Sequence, residues 1–251
     1  MLKKAFVTTS VYALAHQIGM REAIAEVARQ LDQPGKDSLP VVRTIHRLRH
    51  MVEVKLHVDG GATYIGMARS RAFHEAWESQ YPCWLSLDDD IEVTQDTCSA
   101  MLDALDDVLP RILITPYVER SGDEDPRMVI TMPVVRQERV LTNRGRAIKL
   151  APGQGGGFGF VGMNRRAMEE IVAHVSTKAD PRDHLDRSKL RWLDSDGREK
   201  LALFYEALED GLWYGEDTSF FKFRVPPSVT VEALCCGTSL HSGFALPLST
   251  L

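Results

Sequence analysis

Three consecutive carboxylates, Asp88-Asp89-Asp90, have the types and spacing that most clearly indicate chemistry in this chain. They follow the apolar run Trp84-Leu85-Ser86-Leu87, which predicts a buried strand. Ligands of open α/β sheets bind beyond the carboxyl ends of the strands, so we expect the acids at such a crevice. A hard divalent cation offsets the repulsion between them. Since alternate side chains of an extended strand point the same way, Asp88 and Asp90 are predicted to share one ion. The alternative is a solvated acidic turn without an ion.

A second acidic pair, Glu216-Asp217, follows the aromatic stretch Trp213-Tyr214-Gly215 and opens an apolar helical segment. Acids in a first helical turn are favoured by the helix dipole, so capping is one explanation of the pair. The other is a catalytic carboxylate beside an aromatic wall, where loss of water raises its pKa toward that of a useful base. A lone histidine is more often structural than a ligand, but His241, near the C-terminus, is also a candidate ligand because a cation is predicted at the acids upstream.

The elements that must position these acids are predicted from hydrophobic periodicity. Apolar runs predict strands at residues 5–10, 52–58, 82–87, 111–118, 128–135 and 229–234. Helical spacing predicts helices at 12–31, 64–79, 164–176 and 201–208, and one more that begins at the Thr94 cap. Strands and helices alternate in the first half, and strands follow one another in the second. This order predicts an α/β fold whose second half is more antiparallel.

Three further segments have unusual composition. Residues 152–162 are rich in glycine, which permits a close approach to a ligand, and their Phe158, Phe160 and Val161 predict a packed strand. Residues 178–200 are highly charged and are predicted to form a loop. Basic segments cover 43–50 and 136–149, the second as a hairpin that turns at 143–145; both are either solvated surface or contacts for an acidic acceptor.

Composition excludes several classes of protein. With 251 residues, 44% hydrophobic content and a net charge of −5, the chain is typical of one globular domain without global attraction to nucleic acid or anionic membranes. The four cysteines lack the spacing of a zinc site or a disulfide framework. No run is apolar enough to span a bilayer, and no signal peptide is recognised. We therefore expect a soluble, cytoplasmic protein.

The order of these motifs resembles the GT-A family of nucleotide-sugar glycosyltransferases, in a form similar to family 2. The matching motifs are Leu87-Asp88-Asp89-Asp90-Ile91, Gly156-Gly157-Phe158-Gly159-Phe160 leading to Asn164-Arg165-Arg166, Trp213-Tyr214-Gly215-Glu216-Asp217, His241-Ser242-Gly243, and the helix start Gly66-Met67-Ala68-Arg69-Ser70-Arg71. The resemblance implies a Rossmann-like, mixed and mostly parallel sheet flanked by helices, in a single domain 1–251. Residues 1–110 would bind the nucleotide-sugar, and residues 111–251 would bind the acceptor. Ser70 departs from the family pattern, which has Asn there.

The resemblance also implies a donor site for a UDP- or GDP-sugar. Thr8 and Ser10, small hydroxyl residues at a strand end, would line the nucleotide pocket. Arg69 would approach the donor. Asp88 and Asp89 would contact the nucleotide.

The same resemblance implies the metal ligands and the base. Asp88, Asp90 and His241 would hold a divalent cation, Mn²⁺ or Mg²⁺, that bridges the donor diphosphate. If the enzyme inverts the anomeric configuration, Asp217, with Glu216 as second choice, would deprotonate the acceptor hydroxyl. The implied activity is that of a hexosyltransferase-type glycosyltransferase. Its acceptor would be a saccharide or glycolipid precursor, with a hydroxylated DNA base as an alternative.

Two other classes of protein are considered. Haloacid-dehalogenase-type phosphotransferases also place an Asp-x-Asp pair after a strand, but Ile91-Glu92 follows the acids here and Gly215-Glu216-Asp217 is not their later motif. A non-catalytic nucleotide- or metal-binding module of the same fold would bind these ligands without transferring sugar, because fold does not fix function.

Overall fold

The computed structural model describes residues 2–35, 37–59, 64–115, 139–142, 145–176, 191–194, 196–209, 211–235, 239–241 and 244–245. The strand predicted at 128–135 lies outside these residues, as does the end of the strand predicted at 111–118. Most of the predicted loop 178–200 and the His241 side chain also lie outside them.

Strands and helices follow one another along the described chain in a mixed order. The strands are β1 (Lys4–Ser10), β2 (Glu53–Asp59), β3 (Cys83–Asp88), β4 (Ile91–Val93), β5 (Arg111–Ile114), β6 (Arg139–Thr142), β7 (Gly145–Lys149), β8 (Phe160–Asn164), β9 (Arg191–Leu193), β10 (Glu199–Leu201), β11 (Ala207–Glu209), β12 (Leu212–Tyr214), β13 (Thr230–Cys235), β14 (Ser239–His241) and β15 (Phe244–Ala245). The helices are α1 (Tyr12–Ile18), α2 (Met20–Asp32), α3 (Pro40–Arg49), α4 (Ile65–Glu78), α5 (Gln95–Leu105), α6 (Arg165–Ser176) and α7 (Glu216–Ser219), which continues as a π-helical turn (Phe220–Arg224).

The main sheet has eight strands in the order β2-β1-β3-β8-β5-β13-β7-β6. β1 is parallel to β2 and β3, and β13 is parallel to β5. β8 runs antiparallel to β3 and β5, and β7 runs antiparallel to β13 and β6. Six strands therefore share one direction and two oppose it. The expectation of a mixed, mostly parallel sheet with more antiparallel pairing in the second half is confirmed.

Alternation along the central strands builds a core on each face of this sheet. In β1, Ala5 and Val7 belong to one buried cluster and Phe6 belongs to the other, as period-2 geometry requires. The first cluster contains residues of α2, α3 and α5, and the second contains residues of α4 and α6. Helices therefore flank both faces. None of the described helices has the length and apolar character needed to cross a membrane.

The single helix predicted at 12–31 is two helices in the structure. Gly19 separates α1 from α2 with a φ of 92°, in the left-handed region that favours glycine. A Cβ atom at this position would lie 2.7 Å from a carboxylate oxygen of Glu22. Helical periodicity continues through the break, so the hydrophobic pattern alone does not reveal it.

The helix predicted at 201–208 is wrong. This segment leaves β10, runs as irregular chain and enters β11. Leu203, Phe204 and Tyr205 are all buried in succession, which the single buried stripe of an amphipathic helix does not allow. The amides of Leu203 and Phe204 donate to the buried Ser70 hydroxyl at 3.1 and 3.2 Å, so a tertiary partner replaces the helical hydrogen bonds.

Candidate functional site

Three neighbouring parallel strands, β2, β1 and β3, end in polar side chains at their carboxyl ends. In the register of β1 with its neighbours, Ser10 lies opposite Asp59 of β2 and opposite Asp88 of β3. Ser10 and Asp88 are half-buried, whereas Asp59 is buried. Because ligands of open α/β sheets bind beyond the carboxyl ends of the strands, these three residues form the first half of the candidate site.

The three acids of the triplet have different environments. β3 ends at Asp88, and the chain turns at Asp89 and Asp90 before β4 begins. Asp89 is buried, and its Oδ2 accepts a 2.8 Å hydrogen bond from the Leu14 amide in the first turn of α1. The Asp89 carboxylate therefore stabilises the start of α1. The resemblance had implied a contact with the nucleotide for this residue. Burial raises the pKa of Asp88, the Arg69 guanidinium opposes this shift, and the charge of Asp90 adds to it.

The second half of the site is α7, and a buried arginine of α4 joins it to the first. Nη1 of Arg69 donates to Oε1 of Glu216 at 2.9 Å and also to Oδ1 of Asp217. Its Nη2 lies 3.3 and 3.4 Å from the two oxygens of Asp88. Only 6% of the Arg69 side chain is exposed. Acids that are more than 120 positions apart in the chain thus converge on one guanidinium.

An aromatic cluster forms the floor beneath this guanidinium. Arg69 lies over the Phe158 ring, with 5.2 Å between its Cζ and the ring centroid, a cation–π distance. Phe158 in turn contacts four other buried rings, whose centroids lie 4.8 to 6.4 Å away: Trp84, Phe204, Phe220 and Phe221. The carboxylates therefore face water on one side and a low-dielectric wall on the other.

This environment makes Asp217 a candidate base. Burial raises its pKa to about 7, and the nearby carboxylates of Glu216 and Asp88 add to that shift. Arg69 and the Phe158 amide, which donates to Oδ2 of Asp217 at 3.2 Å, act in the opposite direction. A carboxylate with a pKa near neutrality can accept a proton from a substrate and release it again at cellular pH.

The glycine-rich segment and the π-helical turn explain how α7 comes so close to the sheet. A Cβ atom on Gly155 would lie 1.9 Å from the Phe221 ring, so the chain passes there without a side chain. The π-helical turn buries the adjacent rings of Phe220 and Phe221 together with Arg224. Single π-helical turns inside helices are frequent at functional sites. In the glycine-rich segment, the Gly159 carbonyl oxygen accepts a hydrogen bond from the Asp88 amide, which ties this segment to β3.

Of two further predicted site residues, Thr8 has a partner within the protein, and only the backbone of His241 is described. The Thr8 hydroxyl is buried and accepts a 2.8 Å hydrogen bond from the indole of Trp84, so it packs inside the sheet and does not line a pocket. The backbone of His241 pairs with Ile91, directly after Asp90, in a small sheet of β15, β14 and β4. Within the described part of the chain, no three His, Cys, Asp or Glu side chains are grouped to hold a metal ion.

Three residues that contribute to the site were not predicted from the sequence to be site residues. Asp59 lies beside Ser10 at the sheet edge, and its signal was the end of the alternating strand at 52–58. Ser70 is buried and links α4 to the segment before β11. The contribution of Phe158 includes its backbone amide, and the sequence does not indicate such a donor because almost every residue type carries one.

Comparisons with known proteins add little to this geometry. No family model matches the chain, and no curated protein matches it significantly. A solved structure described as the crystal structure of A197 from STIV is similar over 99% of this chain and 91% of that chain, with 13% identity and a TM-score of 0.47. At that score the likeness carries no argument about this protein.

Proposed function

We propose that the chain is a metal-dependent glycosyltransferase of the GT-A type, which moves a sugar from a nucleotide-sugar to an acceptor hydroxyl. The observation that carries the proposal is the convergence of Asp88 and Asp217 on Arg69. A carboxylate at the end of a parallel strand and a half-buried candidate base at a helix start are thereby held on two sides of one site. A metal-assisted, inverting transfer of a glycosyl group uses both: one carboxylate would hold the cation for the leaving diphosphate, and the other would activate the nucleophile.

The donor side fits a divalent cation. Carboxylate oxygens are the ligands that Mg²⁺ and Mn²⁺ prefer, and Mg²⁺ usually takes one or two carboxylates with substrate phosphates and water as its other ligands. Asp88 and Asp90 would supply these carboxylates, and a cation held there would neutralise charge on the departing diphosphate. Burial is the main cause of the raised pKa of Asp88, and the charge of Asp90 adds to it; a cation at this position would favour the charged carboxylate. The buried Asp59, on the neighbouring strand end, can accept hydrogen bonds from the N–H groups of uracil or guanine.

On the acceptor side, Asp217 takes the proton of the acceptor hydroxyl. The acceptor oxygen then forms its bond to the anomeric carbon as the bond from that carbon to the diphosphate breaks. The aromatic floor shields one side of the site from water, and the Phe158 amide donates a hydrogen bond that orients the Asp217 carboxylate. Glu216, which shares Nη1 of Arg69, remains the second candidate for the base.

Saccharide or glycolipid acceptors fit better than a hydroxylated DNA base. Arg43 and Arg47 of the first basic segment both bind Glu92 at 2.6 Å. Arg47 also donates to the Val93 carbonyl oxygen at 2.7 Å. Two of the cations that a phosphate backbone would use are thus already paired within the protein. The arginine side chains of the second basic segment lie outside the described residues.

A thermal-shift screen of UDP-, GDP-, CMP- and TDP-sugars, each with and without Mn²⁺, tests the proposal. A ligand that binds only the native state raises the apparent melting temperature. We expect one donor to stabilise the wild-type protein in a Mn²⁺-dependent manner and Asp90→Ala to abolish that dependence. The matched control is Asp32→Asn at the exposed end of α2, which should behave as wild type.

Turnover distinguishes an enzyme from a binding module. With the stabilising donor, we expect Mn²⁺-dependent donor hydrolysis or transfer by the wild-type protein, strongly reduced in Asp217→Asn. Donor binding without turnover would support the non-catalytic module. Release of phosphate from simple phosphoesters, with no shift from any nucleotide-sugar, would favour the phosphotransferase. Full transfer by Asp217→Asn would refute the base assignment alone and direct attention to Glu216.

A further inference from the structure

Both Nη atoms of Arg69 donate to carboxylates of the protein, and one face of its guanidinium lies against an aromatic ring. Its Nη1 serves Glu216 and Asp217, and its Nη2 serves Asp88. One face of the guanidinium is covered by the Phe158 ring. With 6% of the side chain exposed, little of the group is left to meet a ligand. The sequence-based expectation that Arg69 contacts the donor therefore has a competing explanation.

The contacts of Arg69 also differ in strength between the two sides of the site. Nη1 donates to Glu216 at 2.9 Å and also to Asp217, whereas Nη2 is 3.3 Å from the nearer oxygen of Asp88. Charge-assisted hydrogen bonds weaken with distance, so the stronger bonds are those with the acceptor side. The first turn of α7 has no capping side chain of its own, since Gly215 occupies that position. Arg69 is thus a principal tie between this short helix and the sheet.

We propose that Arg69 is a positioning residue for Asp217 and Glu216, which fixes the base at the site and does not bind the donor. The kinetic consequence rests on the proposed transfer reaction, but the structural consequence does not. Loss of the guanidinium frees α7 to shift, and a displacement of about 1 Å at a reacting group costs roughly 100-fold in rate. Donor affinity, which depends on the strand ends and their cation, is preserved.

Lysine is the informative substitution because it keeps the charge and loses the planar fork. An ammonium is a compact point charge and cannot reproduce the geometry of the two guanidinium nitrogens. Arg69→Lys therefore retains neutralisation of the three carboxylates and should fold, whereas Arg69→Gln leaves those acids unneutralised. The control is Arg49→Gln, which removes an exposed arginine at the end of α3, outside the site.

The test measures kcat and the donor KM separately for wild type, Arg69→Lys and Arg49→Gln. We expect Arg69→Lys to lower kcat roughly 10- to 100-fold with the donor KM changed less than about twofold. Donor-induced thermal shifts should stay as in wild type. A raised donor KM and a weaker thermal shift, with kcat preserved, would overturn the proposal in favour of donor binding by Arg69.

Hydrogen exchange of the amides in 213–224 supplies a readout that needs no substrate. We expect faster exchange of this segment in both Arg69 variants, together with the amide of Phe158, while β1 and β3 exchange as in wild type. Unchanged exchange in the variants would overturn the proposal even if activity fell. If the wild-type protein transfers no sugar but the variants exchange faster, positioning of α7 by Arg69 is supported and the proposed function fails.

Discussion

Replacing Asp217 by Asn should stabilise the folded protein, and the gain should grow with pH. The pKa of this carboxyl rises from 3.8 to about 7 on folding, so the native state holds a proton that the unfolded chain releases. Below pH 4 both states are protonated and the group contributes nothing. Between about pH 4 and pH 7 the free energy of unfolding falls as the pH rises, and above pH 7 the whole penalty is present. Asn resembles the neutral form and removes that penalty.

The size of the effect follows from the shift. Roughly 3 pKa units correspond to about 4 kcal/mol as an upper limit. The side chain of Asp217 retains 19% exposure and shares the Arg69 guanidinium with Glu216 and Asp88. Solvent screening and this sharing reduce the expected gain at pH 8 to about 2 kcal/mol. For a chain of this length, that gain raises the melting temperature by about 4–8 °C.

The assay compares melting temperatures of wild type and Asp217→Asn from pH 4 to pH 9 in the presence of a chelator, so that no divalent cation binds the acids. Asp32→Asn, which removes an exposed carboxylate, should show no such pH-dependent gain. A difference that stays constant across this range, or an Asn variant that is less stable at pH 8, would refute the reasoning. The ion pair with Arg69 would then outweigh the cost of burying the charge.

Three further substitutions test the framework around the site. Gly162→Ala should destabilise the fold by about 1–3 kcal/mol, because its Cβ would lie 2.6 Å from Met101 Sδ and 2.7 Å from Leu105 Cδ1 in a filled core; an unchanged denaturant midpoint would contradict this. Ser70→Ala should cost about 1–3 kcal/mol, since two buried amides lose their acceptor, and Ser70→Thr, which keeps the hydroxyl, serves as its comparison. Glu92→Gln should destabilise at pH 7, because hydrogen bonds from its two arginines lower its pKa even though burial opposes them. That loss should vanish as the pH falls through the lowered pKa of Glu92, and an equal loss at low pH would exclude the charge as its cause.

The carboxyl ends of β1 and β3 were the most predictable part of the site. Apolar runs at 5–10 and 82–87 became β1 and β3, and parallel pairing follows from the helices between such strands. This alone brings Ser10 and Asp88 together. The helix caps at Thr94 and Asn164 also form, with oxygens that accept from Thr97 and Ala167 amides. These features depend on neighbouring residues, which is why local patterns contain them.

The rest of the site depends on contacts between distant segments. The sequence does not show that Asp89, of the three adjacent acids, accepts the hydrogen bond from α1. β3 ends at Asp88, so the alternation of side chains between the two faces of the strand no longer predicts where the next two acids point. The segment around Leu203 and Phe204 has helical spacing but gives its amides to Ser70. Tertiary hydrogen bonds therefore override local propensity at the places where the site is assembled.

The position of β8 has a consequence for the order in which the chain folds during synthesis. β8 pairs with β3 on one side and β5 on the other, yet it is made more than 70 residues after β3. At about 5–20 residues per second, several seconds pass in which β3 has been made and its partner has not. A nascent or truncated chain of residues 1–110 thus exposes Cys83–Asp88 as an unpaired edge, a template for aggregation. Protection of that edge by chaperones until residue 164 has emerged from the ribosome would govern the yield of folded protein in the cell.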